Sequence, residues 1–217
     1  MTQETIVLLN RPAYIFDLDG VLVDTAVFHY DAWRRLANEL GFDFTSAQNE
    51  QLKGVSRVES LIKILNWGGV RKSEVEQLAL AEQKNEWYLD MVAKMTPSDL
   101  LPGVLEFLEQ AHAAGKKIAL GSASKNAPLI LEKTGISPFF EAIVDGNEVT
   151  LSKPDPEVFL CAARKLGCAP EECLVFEDAE AGVAAAIAGK MAVIGVGEQG
   201  ALPEAHTQVS NLGELVQ

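Results

Sequence analysis

The stretch Ala13-Tyr14-Ile15-Phe16-Asp17-Leu18-Asp19-Gly20-Val21-Leu22-Val23-Asp24-Thr25 decides how the rest of the chain is read. A run of strand-forming apolar residues ends abruptly in two carboxylates and a glycine. Side chains alternate faces along a strand, so Asp17 and Asp19 project to the same side at its end. Gly20 lets the chain turn sharply just beyond them. Two carboxylates held that close repel each other, and a divalent cation is the usual remedy. Taken alone, such a pair reads as a strand that ends in solvated aspartates before a turn. The apolar strand, the glycine and matching segments further along argue for chemistry instead.

Composition bounds the answer. The chain has 217 residues, 48% of them hydrophobic and 23% charged, which is enough for a substantial core in one or two domains. Its formal net charge of −13, with no long basic run, argues against nucleic acid as a partner. Residues 1–10 lack the basic-then-apolar order of a secretory signal, and no apolar run approaches the ~20 residues that span a bilayer. Cys161, Cys168 and Cys173 have no C-x-x-C spacing and read as reduced, packed thiols rather than a metal site. A cytoplasmic protein, monomeric and without a membrane partner, is expected.

Residues 25–95 have a helical texture. Phe28, Ala32, Leu36 and Leu40 recur at helical spacing before Gly41, and residues 60–65 and 72–95 read as further amphipathic helices. Trp33, Trp67 and Trp87 are expected to pack within this bundle. After Pro97 the rhythm changes. Strands are expected at 117–120, 142–144, 174–176 and 191–196, with helices at 104–114, 128–133, 156–166 and 179–188. Strands alternating with helices imply a parallel sheet covered on both faces, with ligands at the carboxyl ends of its strands. The expected division is an α/β sheet domain of residues 1–24 and 97–217 and an inserted helical domain of residues 25–96.

Four polar sets fall at strand ends. The first is Asp17 and Asp19. The second is Ser122-Ala123-Ser124-Lys125-Asn126, a loop before a helix whose backbone N–H groups suit a phosphate, though it reads equally as an ordinary capping loop. The third is Ser152-Lys153-Pro154, and the fourth is Glu177-Asp178 at the end of a buried strand. Lone lysines and paired acids are normally solvated surface. After a buried strand and facing Asp17, these acids become candidate ligands for a divalent cation.

In this order the four sets resemble the motifs of the haloacid dehalogenase superfamily of phosphoryl-transfer enzymes. The resemblance implies a doubly wound, Rossmann-like α/β core with an inserted helical cap. It implies Asp17 as nucleophile and Asp19 as general acid/base, with Ser122 and Lys153 binding the transferring phosphoryl group. Mg²⁺ would be held by Asp17, Glu177, Asp178 and the backbone carbonyl of Asp19. Within the inserted segment, Thr25, His29, Lys53-Gly54-Val55-Ser56-Arg57, Ser60 and Lys84-Asn85 are similar to the β-phosphoglucomutase family, as are Ser124, Lys125 and Asn126 in the core. By that resemblance these residues, apart from Asn85, bind substrate, and His29 helps to position the Asp19 carboxyl and a sugar hydroxyl. The first nine or so residues are extra relative to that family, and Asp155 matches nothing in its pattern.

Three functions follow. One is a mutase converting β-glucose 1-phosphate to glucose 6-phosphate through an aspartyl phosphate and a hexose bisphosphate. Another is a phosphatase in which water attacks the same aspartyl phosphate. The third is a non-catalytic sugar-phosphate binder, which the complete set of reactive residues argues against. A bisphosphate needs two anion sites at once. Arg57 with Ser124, Lys125 and Asn126 would make the second, because arginine's planar fork suits phosphate oxygens. That favours the mutase.

Overall fold

The computed structural model describes every residue except Gly54, so the substrate-binding expectation for Gly54 lies outside the described residues. In chain order the elements are α1 (Gln3–Leu9), β1 (Ala13–Phe16), α2 (Ala26–Glu39), α3 (Ser46–Glu50), α4 (Arg57–Trp67), α5 (Glu74–Val92), α6 (Val104–Ala113) and β2 (Lys117–Gly121). Then come α7 (Ala127–Lys133), β3 (Ala142–Val144), α8 (Glu157–Leu166), β4 (Cys173–Glu177), α9 (Glu180–Ala188), β5 (Ala192–Val196) and β6 (Thr207–Val209).

The strands form one parallel sheet in the order β3-β2-β1-β4-β5-β6. Alternation along each strand divides its side chains between two layers. Tyr14, Phe16, Leu120 and Phe176 face Phe107 and Leu108 of α6 and Ile130 and Leu131 of α7. Ala13, Ile15, Val175 and Val193 face Phe159 of α8 and Val183 of α9. Burial on both faces explains why these strands read as continuous apolar runs rather than alternating ones. The Phe16 and Phe176 rings stack at 4.6 Å between centroids and anchor β1 to β4.

Residues of α2 to α5 carry a hydrophobic cluster of their own, built on Trp33, Leu36, Phe44, Leu61 and Ile64. The chain leaves the sheet after Val23 and returns at Leu100. These two residues pair in an antiparallel bridge, and the Leu101 N–H donates to the Leu22 carbonyl at 2.9 Å. Trp33 is buried as expected and Trp87 is half-buried, with the Arg35 guanidinium over its ring at 3.8 Å. Trp67 departs from expectation: it stacks on Phe44 but stays 38% exposed at the end of α4.

Three elements lie outside the expected set. Helix α3 is one short turn closed by a reciprocal Thr45–Gln48 cap, and α1 precedes the first strand. Strand β6, Thr-Gln-Val, sits at the sheet edge, where no apolar run is required. Asp155, unexplained by pattern, accepts a hydrogen bond from the Glu157 N–H at 2.9 Å and so caps the start of α8. The three cysteines are free, and His112 and His206 are exposed. Among the described residues no helix is long and apolar enough to cross a membrane.

Candidate active site

The sheet order places β1 between β2 and β4, so the chain reverses its direction of winding beside β1. That is where doubly wound sheets open a crevice. Register then sets the geometry. Phe16 lies opposite Leu120 and Phe176, so the next residue, Asp17, comes level with Gly121 and Glu177. Its N–H continues the ladder to the Phe176 carbonyl at 2.9 Å, which fixes the carboxylate on the backbone of the central strand.

Lys153, from the loop after β3, is buried between two acids. Its Nζ donates to Asp17 Oδ1 at 2.5 Å and to Glu177 Oε2 at 2.8 Å, and the Lys153–Pro154 peptide is cis. Burial alone would lower the lysine's pKa. The carboxylates of Asp17 and Glu177 outweigh it and hold the ammonium above its usual range. Burial raises the Asp17 carboxyl to about 6, with Lys153 pulling it down and Glu177 pushing it up. Burial likewise raises Glu177, against the opposing pull of Lys153. Asp178 stands at about 6, raised first by burial and then by Asp17, with Lys53 opposing.

The other oxygen of Glu177 accepts from the backbone N–H groups of Asp178 and Ala179 at 3.1 and 3.0 Å, so this acid is tied into the start of α9. Two glycines make room for the acids. Gly20 takes φ +81°, and a Cβ there would lie 2.2 Å from Asp178 Oδ2. A Cβ on Gly182 would come within 1.9 Å of Glu177 Oε2. Neither position tolerates a side chain without displacing an acid.

Asp17, Glu177 and Asp178 each offer a carboxylate oxygen within 4.8 Å of the others. Three hard oxygen donors around one point, only partly neutralised by Lys153, fit a hard divalent cation such as Mg²⁺ better than a soft one.

The loop after β2 turns its serine hydroxyls back onto its own backbone. The Ser122 hydroxyl accepts from the Ser124 N–H at 3.1 Å, and the Ser124 hydroxyl accepts from the Asn126 N–H at 3.3 Å as the chain enters α7. From the helical segment, His29, Lys53, Val55, Ser56, Arg57, Ser60 and Lys84 line a common cavity. From the sheet, Asp17, Asp19, Ser122, Ser124, Lys125, Asn126, Lys153, Glu177 and Asp178 line the same cavity. The cavity measures about 190 Å³. Thr25 alone among the described site residues does not reach it: fully buried, it stands behind Asp19 and donates its hydroxyl proton to that carboxylate.

Charge on the helical wall is uneven. Arg57 contacts Glu82 at 3.5 Å; burial lowers its pKa, with Glu82 opposing. Lys84 is buried without a carboxylate partner among the described residues. Burial, then Arg57, drives its pKa well below the usual value, with Asp19 resisting. Its Nζ meets His29 Nδ1 at 2.7 Å and lies over the Trp33 and Tyr88 rings. Burial, Lys84 and Arg57 together hold His29 well below its ordinary pKa, hence neutral at pH 7.

Among the described residues, three polar contacts join the helical segment to the sheet around the cavity. Lys53 Nζ donates to Asp178 Oδ2 at 3.1 Å, the Ser152 hydroxyl to Glu59 at 2.7 Å, and Asn126 Nδ2 to Asn85 Oδ1 at 2.9 Å. The sequence pattern singles out Ser152 only as the neighbour of Lys153, and nothing in it marks Glu59. Only their meeting across 93 positions gives them meaning.

With this geometry in hand, the class of the protein follows. The haloacid dehalogenase-like hydrolase family matches residues 12–190, and the chain belongs to that family. Its relatives are specific. The chain is 44% identical over 188 residues to the β-phosphoglucomutase of Bacillus subtilis, covering 86% of this chain and 83% of that one. It is 31% identical over 177 residues to a phosphorylated carbohydrates phosphatase of Thermotoga maritima, covering 80% and 79%. Among solved structures, the β-phosphoglucomutase of Clostridium difficile superposes with a TM-score of 0.91 at 42% identity, over 94% of this chain and 93% of that one.

Proposed function

We propose that this protein is a Mg²⁺-dependent β-phosphoglucomutase, converting β-D-glucose 1-phosphate to glucose 6-phosphate through glucose 1,6-bisphosphate. One observation supports the reading: Ser122, Lys153, Arg57 and the Ser124-Lys125-Asn126 loop all line a single cavity, which offers cationic and hydroxyl groups enough for two phosphates. A bisphosphate needs groups for both at once; hydrolysis needs them for one.

In this reading residues 25–96 act as a cap over a core of residues 1–24 and 97–217. Asp17 is the nucleophile and carries the phosphoryl group as an aspartyl phosphate. Asp19 accepts the proton of the sugar's 6-hydroxyl as that oxygen takes the phosphoryl group, forming the bisphosphate. After the bisphosphate turns end for end, Asp17 attacks the phosphorus at C1. Asp19 returns its proton to the departing C1 oxygen, releasing glucose 6-phosphate. Lys153 and Ser122 neutralise and position the moving phosphoryl oxygens, and Arg57 with the loop after β2 holds the phosphate at rest. His29, Lys53, Val55, Ser56, Ser60 and Lys84 contact the sugar phosphate from the cap. Mg²⁺, held by Asp17, Glu177, Asp178 and the Asp19 backbone carbonyl, would screen phosphoryl charge. Every group needed comes from one chain, which supports a monomeric catalyst, and the free cysteines suit the reducing cytoplasm.

The Thermotoga maritima relative keeps hydrolysis in view as the second reading. Arg57→Ala separates the two. Losing a charge-assisted contact worth about 1.5–3 kcal/mol should reduce mutase flux roughly 10–150-fold relative to release of inorganic phosphate. The quantity to follow by ³¹P NMR, with β-glucose 1-phosphate, Mg²⁺ and catalytic bisphosphate, is the ratio of glucose 6-phosphate to inorganic phosphate. An unchanged ratio makes Arg57 a mere cap surface residue, and inorganic phosphate as the sole product of the wild type makes the enzyme a phosphatase.

A further inference from the structure

Tyr88, on α5, is one of the largest fully buried side chains and has no part in the chemistry described above. A phenol hydroxyl taken out of water needs a partner. This one donates to Thr25 Oγ1 at 3.3 Å, and Thr25 in turn donates to Asp19 Oδ1.

The direction of that chain is fixed by proton counting. Thr25 has a single hydroxyl proton. An ionised Asp19 can only accept, so the Thr25 proton points at Oδ1, and the Thr25 oxygen is left to accept from Tyr88. Oδ1 therefore remains an acceptor whether or not Asp19 is protonated. The proton that Asp19 takes from substrate must sit on Oδ2, which no other described hydrogen bond engages, while the residue itself lines the cavity. The ring has a second use. It stacks on His29 at 4.2 Å and lies under Lys84 Nζ at 4.9 Å, so phenylalanine would preserve this packing and remove the hydroxyl alone. Ser124 also faces the same hydroxyl and must be tested beside Thr25.

We propose that Tyr88 is a positioning residue for proton transfer: its hydroxyl orients Thr25 so that Asp19 presents its second oxygen to the substrate. This rests on Asp19 being the acid/base.

The test is a cycle of variants assayed with β-glucose 1-phosphate, Mg²⁺ and catalytic bisphosphate, with thermal unfolding measured on each. Tyr88→Phe should lower kcat roughly 3–10-fold, the ordinary worth of one hydrogen bond, with KM little changed. In a Thr25→Val background the same change should cost nothing further, because the route to Asp19 is already cut. In Thr25→Ser, which keeps the hydroxyl, and in Ser124→Ala, the full effect should persist. A Tyr88→Phe enzyme with wild-type kcat overturns the proposal, as does an undiminished loss in Thr25→Val. Asp19→Asn supplies the reference. If it is crippled while Tyr88→Phe is not, only this inference falls; if it is near wild type, the acid/base assignment falls with it.

Discussion

Asp17→Asn should be without measurable turnover, with kcat down on the order of 10⁴-fold or more, as when other enzymes lose a nucleophile. The residue ends the central strand, its N–H is in the sheet ladder, and its Oδ1 lies 2.5 Å from Lys153 Nζ. An amide in the same place keeps the shape and loses both the nucleophilic electron pair and a negative charge at the cation site. The fold should survive, because the exchange is nearly isosteric. Incubation of the wild type with a phosphoryl donor, an acid quench and peptide mapping should find the phosphoryl group on Asp17. Near-normal turnover by the variant, or a phosphopeptide elsewhere, would remove Asp17 from the role.

Lys153→Met should act on stability as well as on turnover. The ammonium is buried between Asp17 and Glu177 and is within hydrogen-bond reach of both. Replacing it with a thioether of similar length leaves two buried carboxylates facing each other. Removing one partner from a buried ion pair costs about 3–5 kcal/mol, because the orphaned charge stays behind. For a chain of this size that lowers Tm by roughly 6–20 °C. The same acids are those grouped with Asp178 around a candidate cation position, so Mg²⁺ should recover part of the loss. A ligand at 100 times its Kd contributes about 2.7 kcal/mol. Differential scanning fluorimetry with EDTA and with a Mg²⁺ titration reads both effects. A variant as stable as the wild type in EDTA would mean that Lys153 is not what holds these carboxylates together.

Much of this site is legible in the amino-acid sequence. Strands buried on both faces announce themselves as unbroken apolar runs, and the residue that follows each run is then at the sheet's carboxyl edge by necessity. Asp17, Ser122 and Glu177 are placed by that rule alone. What the sequence hides depends on separation along the chain. Tyr88 is one more aromatic on an amphipathic helix until the fold brings its hydroxyl to Thr25, 63 positions away. Asn85 is marked only by family resemblance beside Lys84, with no role of its own, until Asn126 meets it. Thr25, expected at the substrate, stands behind Asp19 instead, because helical entry just after the turn points its side chain inward. Strand β6 escapes notice because a short edge strand need bury little, so its sequence carries no hydrophobic signature.

The three polar contacts between the helical segment and the sheet join side chains that water could satisfy equally well once parted, whereas Ala32, Tyr88 and Val92 of the same segment are buried in the sheet's own hydrophobic cluster. Polar contacts of that kind are worth little net free energy individually. The polar contacts set the alignment, and the apolar ones hold α2 and α5 against the sheet. In the proposed reaction Arg57 and Lys153 add a grip that exists only while phosphate is present to be gripped. Residence time then depends on the ligand: a molecule with two phosphates would engage both sets of groups, and one with a single phosphate only one. On that reading, a bisphosphate is retained long enough to turn over, and a product with one phosphate is let go.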